Sequence, residues 1–495
     1  MKKFIACLLV LMTLITAIAC TKSENNPDQT SENTEGKADT TDGTSTSEEE
    51  APPSIPDTVT GNGSKIVIQT EGWANYSPLD ILDIGITEMN NDGINDAAYT
   101  RDRRIEETLD VEIEVREYGH YPESYQVLSD LVSSGDCDID FCVMRSAIFT
   151  TAITNDLLVD LNTDDLVYFD PDKSWWDRNS YDSLSIANIH YGITGDFTTA
   201  DDLTYWCVYF NKQINSDLQL ENPYEIVKNG EWTYDKMFEM ASKAAKDLDG
   251  IDGMTDSDQW GVSMIRDILG GALNTVGINI VEKDENDLPY LSFKSESNIS
   301  KMQHLLELFY NDEYVYCFAN RPAGTKDEVS IFTSGNTLFT IGGVYYGPQM
   351  RNSDTEFGML PMPKYDSSQE YISATSPLFL SILCTPKTNK DNNELKGAFM
   401  ELYSYLGSEL VVPEFYDRLL KWKVASDDES REMMDYIFNN TAYDIGGLFN
   451  FGDISFLIID MMYTKNTNIV SMWDSNEVKV QQGINDLLTA LQNNS

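Results

Sequence analysis

The run Asp247-Leu-Asp249-Gly-Ile-Asp252-Gly-Met-Thr-Asp256-Ser-Asp258 gathers carboxylates around turn glycines, and such oxygens are what a hard cation such as calcium requires. It is not an EF-hand loop: Gly250 and Ile251 interrupt the D-x-D-x-D-G pattern, and Asp258 closes the run where that loop needs Glu. A solvated acidic loop is an equal reading of the same residues. The three histidines, His120, His190 and His304, are too scattered for an HExxH zinc centre. No G-x-S-x-G elbow, P-loop or G-x-G-x-x-G is present. A glycosidase pair stays open among the 82 acidic residues, since such pairs meet only in three dimensions. For any single one of them a solvated surface role is the default.

The other chemistry on offer is aromatic. With 26 Tyr, 20 Phe and 8 Trp, the chain is well supplied with flat faces for the C–H side of a pyranose, whose hydroxyls would need a few directed polar partners. Trp73, Trp175, Trp176, Trp206, Trp232, Tyr345 and Trp473 fall in loops or at element ends. Core packing is the competing role of each. Trp232 leans furthest towards packing, because it directly precedes a helix cap at Thr233. The 34 Lys and Arg leave a formal charge of −48, which would repel nucleic acid and anionic lipid and favours neutral or cationic ligands.

Elements must position these side chains, and 495 residues allow two or three globular units. Residues 1–20 read as a targeting segment: Lys2 and Lys3, an apolar stretch from Ile5 to Ile15, then Thr16-Ala17-Ile18-Ala19 before Cys20. The stretch is too short to span a membrane. Residues 21–63 are acidic, rich in Ser and Thr and poor in large apolar side chains, so they are expected to be a disordered tether. Beyond Cys20 come Cys137, Cys142, Cys207, Cys317 and Cys384, an odd number with no C-x-x-C. Buried, reduced thiols are the default, and a Cys137–Cys142 bridge is the alternative that proximity in sequence offers.

From Lys65 the pattern alternates. Lys65–Gln69, Val111–Val115 and Ile139–Met144 read as strands, and Asp96–Leu109 and Pro122–Val132 as helices. That is a βαβαβ unit with a largely parallel sheet, and ligands bind beyond the carboxyl ends of such strands. Glu71 and Trp73 after the first strand and Arg145 after the third are therefore the candidates. Further on, Leu203–Phe210 and Thr337–Ile341 read as strands, the second running into Gly342-Gly343 and Tyr345, where glycines permit close backbone approach. Met237, Phe238, Ala241, Ala244, Ala245 and Leu248 recur at helical spacing after the Thr233 cap, as do Ile299, Met302, Leu305, Leu306 and Phe309.

The strand ending in Tyr209-Phe-Asn-Lys212, followed by Asn222-Pro-Tyr-Glu-Ile-Val-Lys-Asn-Gly-Glu-Trp-Thr-Tyr-Asp-Lys-Met237, resembles the family 1 extracellular solute-binding proteins of carbohydrate-type ABC importers. The resemblance implies an α/β, two-lobed, periplasmic-binding-protein-like (type II) fold, each lobe a mostly parallel sheet flanked by helices, with the ligand cleft between lobes. Lobe 1 would comprise residues 64–197 and 366–423, and lobe 2 residues 198–365 and the helices of 424–495, with a last crossing near Lys421–Ser426. It implies a monomeric, non-enzymatic protein, lipidated at Cys20 on the outer face of the cytoplasmic membrane, that delivers a carbohydrate to a permease. It places Glu71, Trp73, Arg145, Trp175, Trp176, Asp196, Trp206, Tyr345 and Trp473 around the ligand. The only cofactor it implies is a structural calcium on Asp247, Asp249, Asp252 and Asp258. A peptide or polyamine receptor on the same scaffold and a secreted carbohydrate-active enzyme are the competing functions.

Overall fold

The computed structural model describes residues 50–72, 83–419 and 428–494. Cys20, Trp73, most of the tether and the crossing at Lys421–Ser426 lie outside the described residues. The described residues from Pro53 onward form one compact unit.

Lobe 1 is built on β1 (Ser64–Thr70), β2 (Val111–Glu117) and β3 (Phe141–Arg145). β1 pairs in parallel with both others, and its last five residues are buried, as apolar runs in doubly covered sheets are. The connections are the helices α1 (Gly93–Leu109) and α2 (Tyr121–Ser134). α1 starts three residues earlier than the sequence pattern implies, because Asp92 accepts from the Asn95 N–H and caps it. Gly135, at φ 75°, closes α2. α3 (Ser146–Thr154) leaves directly from the end of β3.

Lobe 2 carries the five-stranded sheet of β4 (Trp206–Asn211), β5 (Trp260–Met264), β6 (Val315–Cys317), β7 (Thr337–Gly343) and β8 (Phe357–Pro361). Their spatial order is β6-β5-β7-β4-β8. β5 runs parallel to β6 and β7, whereas β4 lies antiparallel to β7 and β8. Between β4 and β5, Thr233 accepts from the Lys236 N–H and starts α4 (Tyr234–Ala244). The helical spacing runs on to Leu248, but the helix stops at Ala244. Ala245 is extended, Lys246 bridges Gln259, and Leu248 lies 51% exposed. α5 (Ile268–Thr275) and α6 (Glu296–Phe309) complete the lobe's buried layer.

After β8 the chain stays against lobe 2 through Gln369, whose amide donates to the Thr275 carbonyl, and Tyr371, whose hydroxyl donates to that of Val227. It re-enters the first sheet as β9 (Ser381–Cys384), antiparallel to β3, and continues into α7 (Asn393–Leu406). The two outward and return strands of the crossing touch where Tyr205 bridges Thr375. The C-terminal helices are α8 (Val412–Leu419), α9 (Asp428–Phe438), α10 (Ile454–Thr464) and α11 (Ile469–Asn494). α9 covers β8, α10 packs on α5, and α11 reaches both α3 and α6. No helix among the described residues is long and apolar enough to cross a membrane.

Candidate functional site

The carboxyl ends of β2, β3 and β5 face a cleft with a volume of about 430 Å³. Lobe 1 supplies His120, Tyr121 and Arg145 to its walls, and lobe 2 supplies Arg266 and Asp267. Phe379, from the return crossing, and Phe456, Asp460 and Tyr463, from α10, close the remaining sides. A larger hollow, about 940 Å³, lies at the opposite, amino end of β1 and is lined by lysines, acids and amides rather than rings.

Arg145 is the centre of the lobe 1 wall. Its Nε lies 2.9 Å from Glu71 Oε2, and its backbone N–H donates to Glu71 Oε1 at 3.1 Å. Its Cζ sits 5.5 Å from the ring centres of both Tyr121 and Phe379, so the guanidinium is within cation–π reach of two rings. Burial pushes the Glu71 carboxyl up to about 7, with the Arg145 charge pulling the other way. Burial and then the Arg145 charge hold His120 below its usual value. On lobe 2, Arg266 Nε pairs with Asp267 Oδ1 at 3.0 Å, and its Cζ lies 4.7 Å from the Tyr463 ring centre. Burial also pushes the Asp267 carboxyl up, against the Arg266 charge. The arrangement offers donors, acceptors and open ring faces.

The structure pairs Glu71 with Arg145, of which only Arg145 lines the cleft while Glu71 is buried, and it sends other candidates elsewhere. Trp175 and Trp176 lie in the lobe 1 core, because the buried Glu401 of α7 accepts from both indole N–H groups, at 3.1 and 3.0 Å. Asp196 is half-buried on the first crossing: its N–H donates to the Trp175 carbonyl, and its own carbonyl oxygen lies 1.9 Å from where a Cβ on Gly407 would sit. Trp206 is buried against Gly271 of α5. Tyr345 packs half-buried on Gly343 and Tyr346 and does not line the cavity. Trp473, placed by the sequence in a loop or at an element end, falls instead within α11, which is continuous from Ile469, and its indole is buried against Phe293, with ring centres 4.7 Å apart.

In the acidic loop, oxygens of Asp247, Asp249 and Asp258 lie within 4.8 Å of one another, and Asp252 stands outside the group. Asp258 accepts from the N–H groups of Leu248, Asp249 and Thr255. Asp247 accepts from that of Gly250 and Asp249 from that of Ile251. The carboxylates are thereby oriented by the backbone and keep lone pairs for a hard cation.

Sequence reasoning missed His120, Tyr121, Arg266, Asp267 and Phe379 as lining residues, and on α10 it missed Phe456, Asp460 and Tyr463. Their signal is a helix that is apolar on two sides: Ile454, Ile458, Met461 and Met462 are buried, yet Phe456 and Tyr463 remain 51% and 43% exposed. A surface helix needs only one apolar stripe, so the second implies something to cover.

Neither a protein-family model nor a curated protein matches the chain. Solved structures do. The ABC substrate-binding protein Lmo0181 from Listeria monocytogenes, in complex with cycloalternan, is similar with a TM-score of 0.53 and 13% identity, over 87% of this chain and 99% of that one. A cyclo/maltodextrin-binding protein complexed with maltotetraose gives 0.52 and 14%, over 89% and 97%. An ABC transporter solute-binding protein from Thermotoga lettingae bound with α-D-tagatose gives 0.53 and 15%, over 86% and 100%. With its two α/β lobes, multiple crossings and a cleft at the strand ends, the chain has the fold of the ABC-importer solute-binding proteins.

Proposed function

We propose that the cleft captures a carbohydrate, an oligosaccharide in particular, and that the protein presents it to the membrane permease of an ABC importer while anchored outside the cytoplasmic membrane through a lipid on Cys20. One observation carries the reading. Rings of Tyr121, Phe379, Phe456 and Tyr463 line a cavity that also holds Arg145, Arg266, Asp267 and Asp460, the mixture of flat apolar faces and few directed polar groups that a sugar needs. The sugars held by the similar structures support it. Closure would follow from differential contacts with the two lobes, and no covalent step is required.

A thermal-shift screen of residues 53–495 tests the proposal, with mono- and oligosaccharides, oligopeptides and polyamines as ligands. Ligand at about a hundred times its Kd adds roughly 2.7 kcal/mol. A saturable shift with one sugar class and no product is the expected outcome. A shift with peptides or polyamines alone would keep the fold and remove the carbohydrate, and product formation would turn the reading towards an enzyme.

The reading includes a structural calcium held by Asp247, Asp249 and Asp258. Calcium added back after chelation should raise the melting temperature. Absence of any shift removes the cation and leaves the cleft untouched.

A further inference from the structure

We infer that Cys142 of β3 and Cys384 of β9 form a cross-strand disulfide when the chain folds in an oxidising medium. The two residues are direct register partners in an antiparallel pair, so their side chains leave the same face of the sheet. Opposed residues in such pairs have Cα atoms roughly 4.5–5.5 Å apart, inside the range of about 4.4–6.8 Å that a disulfide spans. Cys142 Sγ lies 3.7 Å from the Cys384 carbonyl oxygen, and both side chains are buried, at 1% and 0% exposure, in one apolar cluster. Cys137, the neighbour in sequence, is not on β3: its carbonyl accepts from Asn389 and Thr388 in the segment after β9.

The bond would sit just behind the cleft. Three register steps along the same pair, Arg145 faces Ser381, two residues after Phe379, whose ring lies against the Arg145 guanidinium. The staple would therefore fix the crossing strand against the strand that carries Arg145. Burial pushes the Cys384 thiol well up, and the thiolate is the reactive form, so exchange belongs to the stage before β9 docks. With oxidised glutathione as oxidant, the Cys142 thiolate attacks one sulfur and expels a glutathione thiolate. The Cys384 thiolate then attacks the Cys142 sulfur of the mixed disulfide and expels the second. The two cysteines give up two protons and two electrons, and one glutathione disulfide becomes two thiols.

The test is refolding of the full chain from the reduced, denatured state in a glutathione redox buffer. Free thiols are alkylated under denaturing conditions, and the chain is cut on the amino side of aspartates. Cleavage before Asp138 and Asp140 separates Cys137 from Cys142. The expected result is a Cys142 peptide joined to a Cys384 peptide in the unaltered chain, with Cys7, Cys20, Cys137, Cys207 and Cys317 alkylated. In C384S, Cys142 should become alkylated. Alkylation of both Cys142 and Cys384 in the refolded chain, or a bridge from Cys142 to Cys137, would overturn the inference. Neither result bears on whether the cleft binds sugar.

Discussion

Truncating Phe456 to Ala tests the cleft directly, because titration reads the open half of this ring and unfolding reads the covered half. The ring is 51% exposed, so about 100 Å² of an aromatic side chain of roughly 200 Å² is open to solvent. A ligand that covered this face would remove it from water, at roughly 25 cal/mol per Å², for about 2.5 kcal/mol. With 1.4 kcal/mol per tenfold change, F456A should weaken binding on the order of fifty-fold or more. The other half of the ring is covered by the protein, so by the same measure the fold loses up to about 2.5 kcal/mol, which urea unfolding reads apart from binding. The assay is calorimetric titration of the sugar selected by the thermal-shift screen into F456A and the unaltered protein, with urea unfolding of both alongside. A Kd within threefold of the original for the folded variant would show that the ligand does not lie on α10.

Three further outcomes can be checked. W473A should lose about 3–5 kcal/mol in urea unfolding, because the indole is 2% exposed against Phe293. The folded fraction of W473A should keep its sugar Kd, and a large loss of affinity there would return Trp473 to the site. In G271A the new Cβ would lie 2.6 Å from Trp206 Cδ1, and overpacking of this kind costs about 1–3 kcal/mol; an unchanged midpoint would show that Trp206 can move. The third outcome concerns pH. Glu71 has a folded-state value of about 7 against an ordinary 4.5, so the native state holds the extra proton. Its contribution is full below about 4.5 and is lost as pH rises through 7. Melting temperature should therefore fall between pH 6 and pH 8 by more in the unaltered protein than in E71Q, and equal slopes would refute the assignment.

What could be read from the sequence was what periodicity and end chemistry dictate. The strands around Val67, Val143 and Phe210, the cap at Thr233, and Glu71 and Arg145 as strand-end residues all follow from local patterns. The tryptophans were another matter. Trp175 and Trp176 sit in a loop by sequence, yet a carboxylate from Glu401, more than two hundred positions on, draws both indoles inside. Their burial is a long-range effect with no local trace. Trp473 depended on where α11 begins, and helix starts are the least legible boundary when no strong cap marks them. Phe456 and Tyr463 carried a local signal, a second apolar stripe, but it resembles ordinary core packing until the first stripe is known to be buried.

The position of Phe456 and Tyr463 on one helix has a metric consequence. Seven residues apart on α10, they are two turns apart, and a rigid rise of 1.5 Å per residue sets their backbone separation at about 10 Å. The helix is therefore a ruler: a short molecule reaches one ring, and only a longer one reaches both. Discrimination by length would then come from the backbone of the protein, before a single hydroxyl is recognised.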